Sequence, residues 1–534
     1  MNSKKLIVLF ICANLLHGQF SCSKKRNDTP AKPFRGTLTI GEFTRPQTLN
    51  PVLEVTGVSA HLVNLIFDSL VRIGEKGEIL PHLAVSWEMK GGGREWVFYL
   101  RKGVRFHDGR QLSADDVKFT LDLVRDPALG SGYARSLSQI AKVEVRDSYT
   151  IGISLTEPSV SLPHEINIGI LPRHLLEGEN IRASSFNYHP VGTGPFQFVR
   201  WSRDEVEFAA NLNYFLGRPY LDHVVVKSFK NQYLVSANLM RGEIDAFPFL
   251  ASSSYEVIKK IPSFRVYPTL RPFYYLIAFN LSNPLFQDRR VRQALNYAID
   301  KESIIKRVLK GRGIAASGTI FPSSWAFDDR VEPFPYDPCK AMELLKEAGW
   351  QDSDGDHVLD KNNQPLAFQI YLPDGYDELE SSSFMIMEQL ASVGVMTRGE
   401  KFPVEIFNRE HLLTRKFEAV FMFANAGGDP DSSYQFWHSS SARGGFNFFS
   451  YHNPGIDQLL DQGRSTRDQK ERKRIYSRYQ EEIKEDPPGI FLFWKENLLC
   501  VHKRFCGIHV SAFYGVFNSI REWYICPDDE RKHD

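Results

Sequence analysis

The stretch 94–120 changes its hydrophobic period from two to about 3.6, and this change limits the possible folds more than any other feature. Apolar and polar side chains first alternate, as in a half-buried strand, with the apolar positions at Trp96, Phe98 and Leu100. An Asp-Gly turn follows. The next segment places apolar residues on one helical face, at Val117, Leu121 and Val124. This part of the chain therefore combines a strand with an amphipathic helix.

A histidine and three aspartates near that turn resemble a catalytic or metal-binding cluster; they are His107, Asp108, Asp115 and Asp116. Ser113 predicts a helix N-cap, and Asp116 three residues later completes a capping-box pattern. Carboxylates in a first helical turn also stabilise the helix dipole. His107 has no second histidine at metal-binding spacing. We therefore interpret the cluster as helix capping after a turn.

The length and charge balance of the chain indicate a multidomain soluble protein. A chain of 534 residues predicts two to four domains with a large core. Lys and Arg number 65 against 64 Asp and Glu, a net charge of +1, which gives no basic surface for nucleic acid. The sequence predicts no nucleic-acid partner.

The N-terminus predicts export. A basic start precedes an apolar run at 6–16, which is too short to span a bilayer of about 20 helical residues and is typical of a signal peptide, assigned to 1–21. Cys22 stands where bacterial lipoproteins carry their lipid, and 22–35 form a polar tether. A secreted form and an uncleaved anchor are the alternatives.

Four cysteines follow the tether, namely Cys339, Cys500, Cys506 and Cys526. An oxidising compartment favours disulfides between them. Three of the four lie near the C-terminus, so we expect one pair within that group. No Cys-x-x-Cys occurs, which argues against a zinc ribbon.

The acidic turn at 352–360 resembles a calcium-binding loop in the spacing of its aspartates, which are Asp352, Asp354, Asp356 and Asp360. An EF-hand requires glycine at position 6 and glutamate at position 12, and here these positions hold His357 and Asn363. We favour a plain acidic turn and predict no metal site; a structural ion in this turn is the alternative. Neither Gly-x-Ser-x-Gly nor His-Glu-x-x-His occurs, so the sequence predicts no catalytic residue, no cofactor and no enzyme activity.

Several ordered blocks resemble the family-5 extracytoplasmic solute-binding proteins of ABC importers, of the oligopeptide- and dipeptide-binding type. The resemblance covers about 36–525. The blocks are "LAVSWEMKGGGREWVFYLRKGVRFHDGRQLSADDVKF" (83–119), "HPVGTGPFQFVRW" (189–201), "IAFNLSNPLFQDRRVRQALNYAID" (277–300), "YDPCKAMELLKEAGW" (336–350) and "GGDPD" (427–431).

This resemblance implies a mixed α/β, two-lobed periplasmic-binding-protein-like fold with an inserted α+β subdomain and a ligand cleft between the lobes. Two crossings, near 267–280 and 485–493, would act as hinges. The implied segments are lobe I in three pieces (36–70, 186–271 and 489–525), an inserted subdomain (71–185) and lobe II (272–488).

The resemblance also implies that an extended peptide binds as an added β-strand. The ligand-binding candidates are Val55, Thr56, Gly57, Phe423, Ala424, Asn425, Ala426 and Asp429. Peptide-binding members usually carry a tryptophan where this chain has Phe423. Three residues later they carry an aspartate for the ligand ammonium, where this chain has Ala426.

Three explanations of the missing aspartate stay open: a shifted acid such as Asp429, an N-blocked or modified peptide, or a different solute. A metal chelate, haem or a cell-wall fragment would be such a solute, and a ligand sensor or chaperone could use the same fold. The implied partners are oligopeptides or related small solutes, ABC permease subunits, and the membrane through a lipid on Cys22. A periplasmic or extracytoplasmic monomer is expected.

Overall fold

The computed structural model describes residues 34–53, 58–443, 445–513 and 517–527. The predicted signal peptide, Cys22 and most of the tether lie outside the described residues. The same is true of the ligand candidates Val55, Thr56 and Gly57. Within the described ranges, no helix is both long enough and apolar enough to cross a membrane.

The strands of the protein are β1 (Thr37–Glu42), β2 (Val71–Ile73), β3 (Ile79–Pro81), β4 (Ala84–Lys90), β5 (Glu95–Leu100), β6 (Ile140–Asp147), β7 (Thr150–Leu155), β8 (Phe196–Trp201), β9 (Glu205–Ala210), β10 (His223–Ser228), β11 (Ala246–Phe247), β12 (Phe264–Phe279), β13 (Gly313–Ala315), β14 (Asp360–Lys361), β15 (Gln364–Pro365), β16 (Ala367–Pro373), β17 (Met396–Phe402), β18 (Ala419–Asn425), β19 (Gly489–His502), β20 (Phe505–Cys506) and β21 (Tyr524–Ile525).

The α-helices are α1 (Val58–Ile66), α2 (Ala114–Arg125), α3 (Leu162–Glu165), α4 (Arg173–Leu176), α5 (Gln232–Met240), α6 (Ser252–Ile258), α7 (Arg289–Tyr297), α8 (Lys301–Arg307), α9 (Pro338–Glu347), α10 (Asp377–Ala391), α11 (Val404–Ile406), α12 (Ser432–Trp437), α13 (Pro454–Ser465) and α14 (Gln469–Glu485).

One large mixed sheet runs through the molecule in the order β17-β16-β18-β12-β19-β11-β1-β10-β9-β8, and β13 also pairs with β19. The long antiparallel strands β12 and β19 lie at its centre. Along β12, Ile277 and Phe279 pack into one hydrophobic cluster, while Leu276 and Ala278 pack into another on the opposite face. This half of the sheet is therefore buried on both faces.

A separate four-stranded sheet, β4-β5-β7-β6, packs with α2. Its strand β5 and helix α2 confirm the change of hydrophobic period predicted for 94–120. Asp116 completes the capping box: its carboxylate accepts hydrogen bonds from the backbone N–H groups of Ser113 (2.9 Å) and Arg173 (3.0 Å). The aspartate is buried, whereas Asp115 is exposed. The capping interpretation is confirmed.

His107 joins this region to the glycine-rich turn at 192–194. Its Nδ1 accepts a hydrogen bond from the Gly192 N–H at 3.3 Å, and its Nε2 lies 3.0 Å from the Gly194 carbonyl oxygen. One ring nitrogen therefore accepts while the other donates, which requires the neutral imidazole. Burial lowers the pKa of His107, in keeping with a structural role.

Removing the Asp116 carboxylate should destabilise the protein without affecting ligand binding. We expect Asp116→Ala to lower the free energy of unfolding by about 1–2 kcal/mol, because a cap and a buried hydrogen bond are lost together. Asp115→Ala is the matched control and should change it by less than about 0.5 kcal/mol. Denaturant titration measures both changes. Loss of ligand affinity at unchanged stability in Asp116→Ala would contradict the capping role.

Two further helices begin at capping aspartates, and the expected C-terminal disulfide is also present. Asp300 caps α8 and Asp337 caps α9, each accepting a backbone N–H at 2.9 Å. Cys506 and Cys526 form the expected disulfide. Cys500 is a buried free thiol and Cys339 an exposed one.

The segment 352–360 is a largely exposed turn in which backbone N–H groups donate to aspartate side chains of the same segment. Ligand atoms of Asp352, Asp354 and Asp356 lie within 4.8 Å of one another. The Asp352 carboxylate accepts the backbone N–H groups of Gly355 at 2.7 Å and His357 at 3.1 Å. These hydrogen bonds give Asp352 a structural role at the start of the turn.

Candidate ligand-binding cleft

The two long central strands connect the two halves of the molecule. The first part of β12 packs against α5 and α6 through Phe264 and Val266. The later part, from Tyr274 on, belongs to the clusters around β16 and β18. Between these parts the pairing with β19 shifts, from Leu270 opposite Glu496 to Tyr274 opposite Trp494. A bulge of this kind bends a strand and redirects its side chains.

A group of four partly exposed aromatic residues lies beside the bulge, and we call it the aromatic group: Phe273, Tyr275, Tyr376 and Phe423. Phe423 on β18 is at its centre. The centroid of its ring lies 5.9 Å from that of Phe273, 5.4 Å from that of Tyr275 and 5.6 Å from that of Tyr376. Phe423 is thus placed to provide the apolar wall expected from the sequence.

The neighbouring candidates on β18 differ in exposure. Ala424 and Ala426 are buried in the cluster that contains Trp437, whereas Asn425 is exposed. The Asn425 side-chain oxygen accepts the Gly427 N–H at 2.9 Å. Ala426 donates its N–H to the Pro272 carbonyl at 2.7 Å. The backbone here is therefore held in place next to the bulge.

One edge of β18 is largely open. On one side β12 pairs with all seven residues of the strand, from Ala419 to Asn425. On the other side β16 pairs only with Ala419 and Val420, so among the described residues 421–425 have no strand partner there. An unpaired strand edge is a template for an added strand.

Each of the two aspartates in the "DPD" motif forms an ion pair with an arginine. Asp429 is buried, and its two carboxylate oxygens accept hydrogen bonds from Arg472 at 2.7 and 3.0 Å. Burial alone would raise the pKa of Asp429, but the Arg472 guanidinium holds it below its ordinary value. Asp429 is therefore not available to bind a ligand ammonium, and the geometry does not support the hypothesis of a shifted acid at this position.

Asp431 takes part in a contact between the small-sheet half and the β18 half of the molecule. Arg464 donates to its carboxylate at 2.9 and 3.1 Å. From the other half, the Ser161 hydroxyl donates to the same carboxylate at 2.5 Å, and Glu165 approaches Arg464 to 3.9 Å. The Val160 N–H also donates to the Arg464 carbonyl at 3.0 Å. We call this group the interlobe ion cluster.

A second contact on the same side of the molecule is aromatic. The Arg135 guanidinium carbon lies 5.5 Å from the ring centroid of Phe446 and 5.6 Å from that of Phe448. Its Nη1 also donates to the Gly445 carbonyl at 3.3 Å. The two halves therefore touch through both charge and aromatic contacts.

Burial raises the pKa of Glu165 to about 8; Arg464 opposes this shift and Asp431 adds to it. The folded state therefore retains a proton that the unfolded chain loses near pH 4.5. Below pH 4.5 the proton contributes its full stabilisation of the folded state. As pH rises toward 8 this stabilisation is lost, and the free energy of unfolding falls by up to about 1.4 kcal/mol per pH unit.

Denaturant titrations between pH 5 and 9 test this expectation. Glu165→Gln stays neutral, so its free energy of unfolding should lose this downward slope. Glu157→Gln, at an exposed position, is the matched control and should keep it. An unchanged slope in Glu165→Gln would show that another group binds the proton.

A cavity of about 240 Å³ lies between α1, the 68–82 region and the C-terminal segment, and its lining includes Pro51 and Phe517. The carboxylate of Asp68, in the lining of this cavity, is already engaged in hydrogen bonds with other side chains. Its carboxylate lies 2.7 Å from His82 Nε2 and accepts the hydroxyls of Thr193 at 2.8 Å and Tyr214 at 2.9 Å. Sequence reasoning missed this network because its members are far apart in the chain.

Sequence reasoning also missed Arg271, which stands in the bulge next to Phe273. The signal available was an arginine directly before the run of apolar and aromatic residues at 272–279 in strand β12. Its role depends on burial, which a strand pattern does not report.

Two halves joined by a pair of long central strands, with a partly exposed aromatic group beside the junction, are the architecture of a two-lobed solute-binding protein. The profile of the bacterial extracellular solute-binding proteins, family 5, middle region, matches residues 78–447. The match covers more than half of the chain, so the chain belongs to this family.

The chain is similar to members with different ligands. Oligopeptide-binding protein AppA of Bacillus subtilis is 29% identical over 534 residues, with 97% of each chain covered. Its structure in complex with a nonapeptide has a TM-score of 0.82 and 28% identity, covering 93% of this chain and 100% of that one.

Two further relatives have names that indicate non-peptide ligands. The structure of NikZ from Campylobacter jejuni with Ni(L-His) is 31% identical, with a TM-score of 0.80 and coverage of 91% and 99%. Heme-binding protein A of Haemophilus influenzae is 28% identical over 528 residues, with coverage of 93% and 95%.

Proposed function

We propose that this protein is the solute-binding component of an ABC importer, and that it captures short peptides or peptide-like solutes in the interlobe cleft. The observation that carries the proposal is the open edge of β18 at 421–425, beside the aromatic group. The edge offers backbone hydrogen bonds to an extended ligand, and the rings offer apolar contact. Backbone pairing tolerates many ligand sequences, which suits a peptide importer.

The assignment of lobes follows as part of the same proposal. The buried residues of the two clusters on β12, β16 and β18 all lie between Tyr274 and Ile483, apart from five on β19, namely Ile490, Phe491, Leu492, Phe493 and Trp494. This supports lobe II at 272–488, with lobe I in the pieces 36–70, 186–271 and 489–525 and the inserted subdomain at 71–185. The bulge in β12 marks one proposed hinge.

Membrane attachment and a non-enzymatic role complete the proposal. We assign 1–21 as the signal peptide and Cys22 as the lipidated residue of an extracytoplasmic monomer that meets its permease at the membrane. Cys22→Ser should release the exported protein from the membrane fraction and remove the added lipid mass. The cleft is proposed to bind its solute without catalysis.

Native mass spectrometry of the exported chain, gently purified and then denatured, tests the function. Recovery of mixed short peptides supports a peptide importer component. Recovery of a single non-peptide solute keeps the binding role but replaces the ligand class, as the nickel-chelate and haem relatives illustrate. The absence of any released solute under gentle conditions would count against the proposal.

A pair of variants locates the retained solute. Phe423→Ala removes the centre of the aromatic group and should reduce the amount of released solute at least fivefold. Phe384→Ala, at a residue that is 61% exposed on α10, is the matched control and should retain the wild-type amount. Equal retention by both variants would place the site elsewhere.

A further inference from the structure

Arg271 is a partly buried arginine with no hydrogen-bond or ion-pair partner among the described residues. Its Nε and Nη1 atoms are shielded from solvent. Its guanidinium carbon lies 5.7 Å from the centroid of the Phe273 ring. Burial lowers the pKa of Arg271 to about 10.

The position of this side chain is set by the bulge. Arg271, Pro272 and Phe273 fall between the paired positions Leu270 and Tyr274, where the ladder with β19 is interrupted. Two residues earlier, the Thr269 hydroxyl is also buried and has no hydrogen-bond partner in the part of the chain that the structure describes. Two unsatisfied polar groups therefore lie at the junction of the two halves, next to the aromatic group.

An unpaired buried cation is costly, since burial removes hydration and nothing replaces it. Arginine offers five N–H donors and matches the geometry of a carboxylate. A buried, unpaired guanidinium beside an open strand edge is therefore placed to bind an anionic group of a ligand.

We propose that Arg271 binds a carboxylate of the captured solute and that this cleft selects anionic, peptide-like solutes. The inference rests on the proposed function, because it places the ligand in the same cleft. The surrounding charges agree with it. Asp429 and Asp431 are neutralised by Arg472 and Arg464, and position 426 is alanine, so these three positions offer no free carboxylate to a ligand ammonium.

The stability of the ligand-free protein separates a binding role from a structural one. Arg271→Met keeps side-chain length and removes the charge, so the ligand-free variant should melt at the same temperature as wild type or higher. A structural arginine would instead lower the melting temperature when replaced. Arg203→Met, at an exposed turn, controls for the change in net charge.

Two probes test the chemistry directly: N-acetyl-pentaalanine with a free C-terminal carboxylate, and the same peptide as its C-terminal amide. Calorimetric titration of the ligand-free wild type should show at least tenfold tighter binding of the carboxylate form. Arg271→Met should abolish this preference, Arg271→Lys should retain part of it, and Arg203→Met should leave it unchanged.

The outcomes distinguish this assignment from the proposed function. Equal binding of both peptides by wild type would support a peptide site and overturn the role of Arg271. If neither peptide binds, the solute released from wild type is tested instead. A released solute without an anionic group would overturn the role of Arg271. A non-peptide carboxylate that is retained only when Arg271 is present would support the role of Arg271 and overturn only the assignment of a peptide ligand.

Discussion

Arg464→Met is expected to lower the free energy of unfolding by about 3–5 kcal/mol, the usual cost of removing one partner from a buried ion pair. Arg464 is buried, and its guanidinium donates to the Asp431 carboxylate. Without it, the Asp431 carboxylate keeps the Ser161 hydroxyl as its one side-chain donor among the described residues, and Glu165 remains nearby. The variant should also weaken the contact between the two halves, since Ser161 docks on the same carboxylate.

Arg474→Met provides the control, because it removes the same charge from an arginine whose side chain is 79% exposed. Its free energy of unfolding should change by less than about 1 kcal/mol. Denaturant titration at pH 7 compares the two variants. If both lose the same small amount, the interlobe ion cluster is not a significant source of stability.

Ala426→Asp is expected to destabilise the ligand-free protein by about 3 kcal/mol or more, because it places a carboxylate without a partner in an apolar cluster. Ala426 is 5% exposed and packs in the cluster that contains Trp437. A peptide with a free α-ammonium would supply the missing charge. Such peptides should therefore bind the variant more tightly than wild type and restore part of its stability.

Thermal unfolding with pentaalanine and with N-acetyl-pentaalanine measures this effect. The free-amine peptide should raise the melting temperature of Ala426→Asp more than the acetylated peptide does. Ala426→Asn has the same shape without the charge, and should show no such difference. If the two peptides act equally on Ala426→Asp, the residue does not face the ligand's N-terminus.

Much of the local structure could be read from the sequence. The alternation at Trp96 and Phe98 and the cap at Ser113 depend on residues a few positions apart, so their geometry follows from the period of the backbone. The caps at Asp300 and Asp337 were predictable for the same reason. The family was recognisable because its motifs are themselves short and ordered along the chain.

The candidate site was predictable only in part. Phe423 was a candidate because the family motif includes that position, and it lies at the centre of the aromatic group. Its contact with a ligand stays a prediction. Asp429 had been considered as a possible ligand acid, yet it pairs with Arg472, 43 positions away in the chain. A sequence pattern gives no information on which distant cation reaches a carboxylate.

By itself, the sequence determined the family, strand β5 and helix α2 with its cap, because each depends on local periodicity or on an ordered set of motifs. It indicated one disulfide within Cys500, Cys506 and Cys526, but not which two of them pair. Only the tertiary structure decided which charges are satisfied. Among the described residues, it paired Asp429 and Asp431 with arginines, left one edge of β18 open and enclosed Arg271 without a counterion. These properties arise from packing between elements that are not neighbours in the sequence, such as those of Asp431 and Arg464, 33 positions apart, and burial alters the free energy of each charge there.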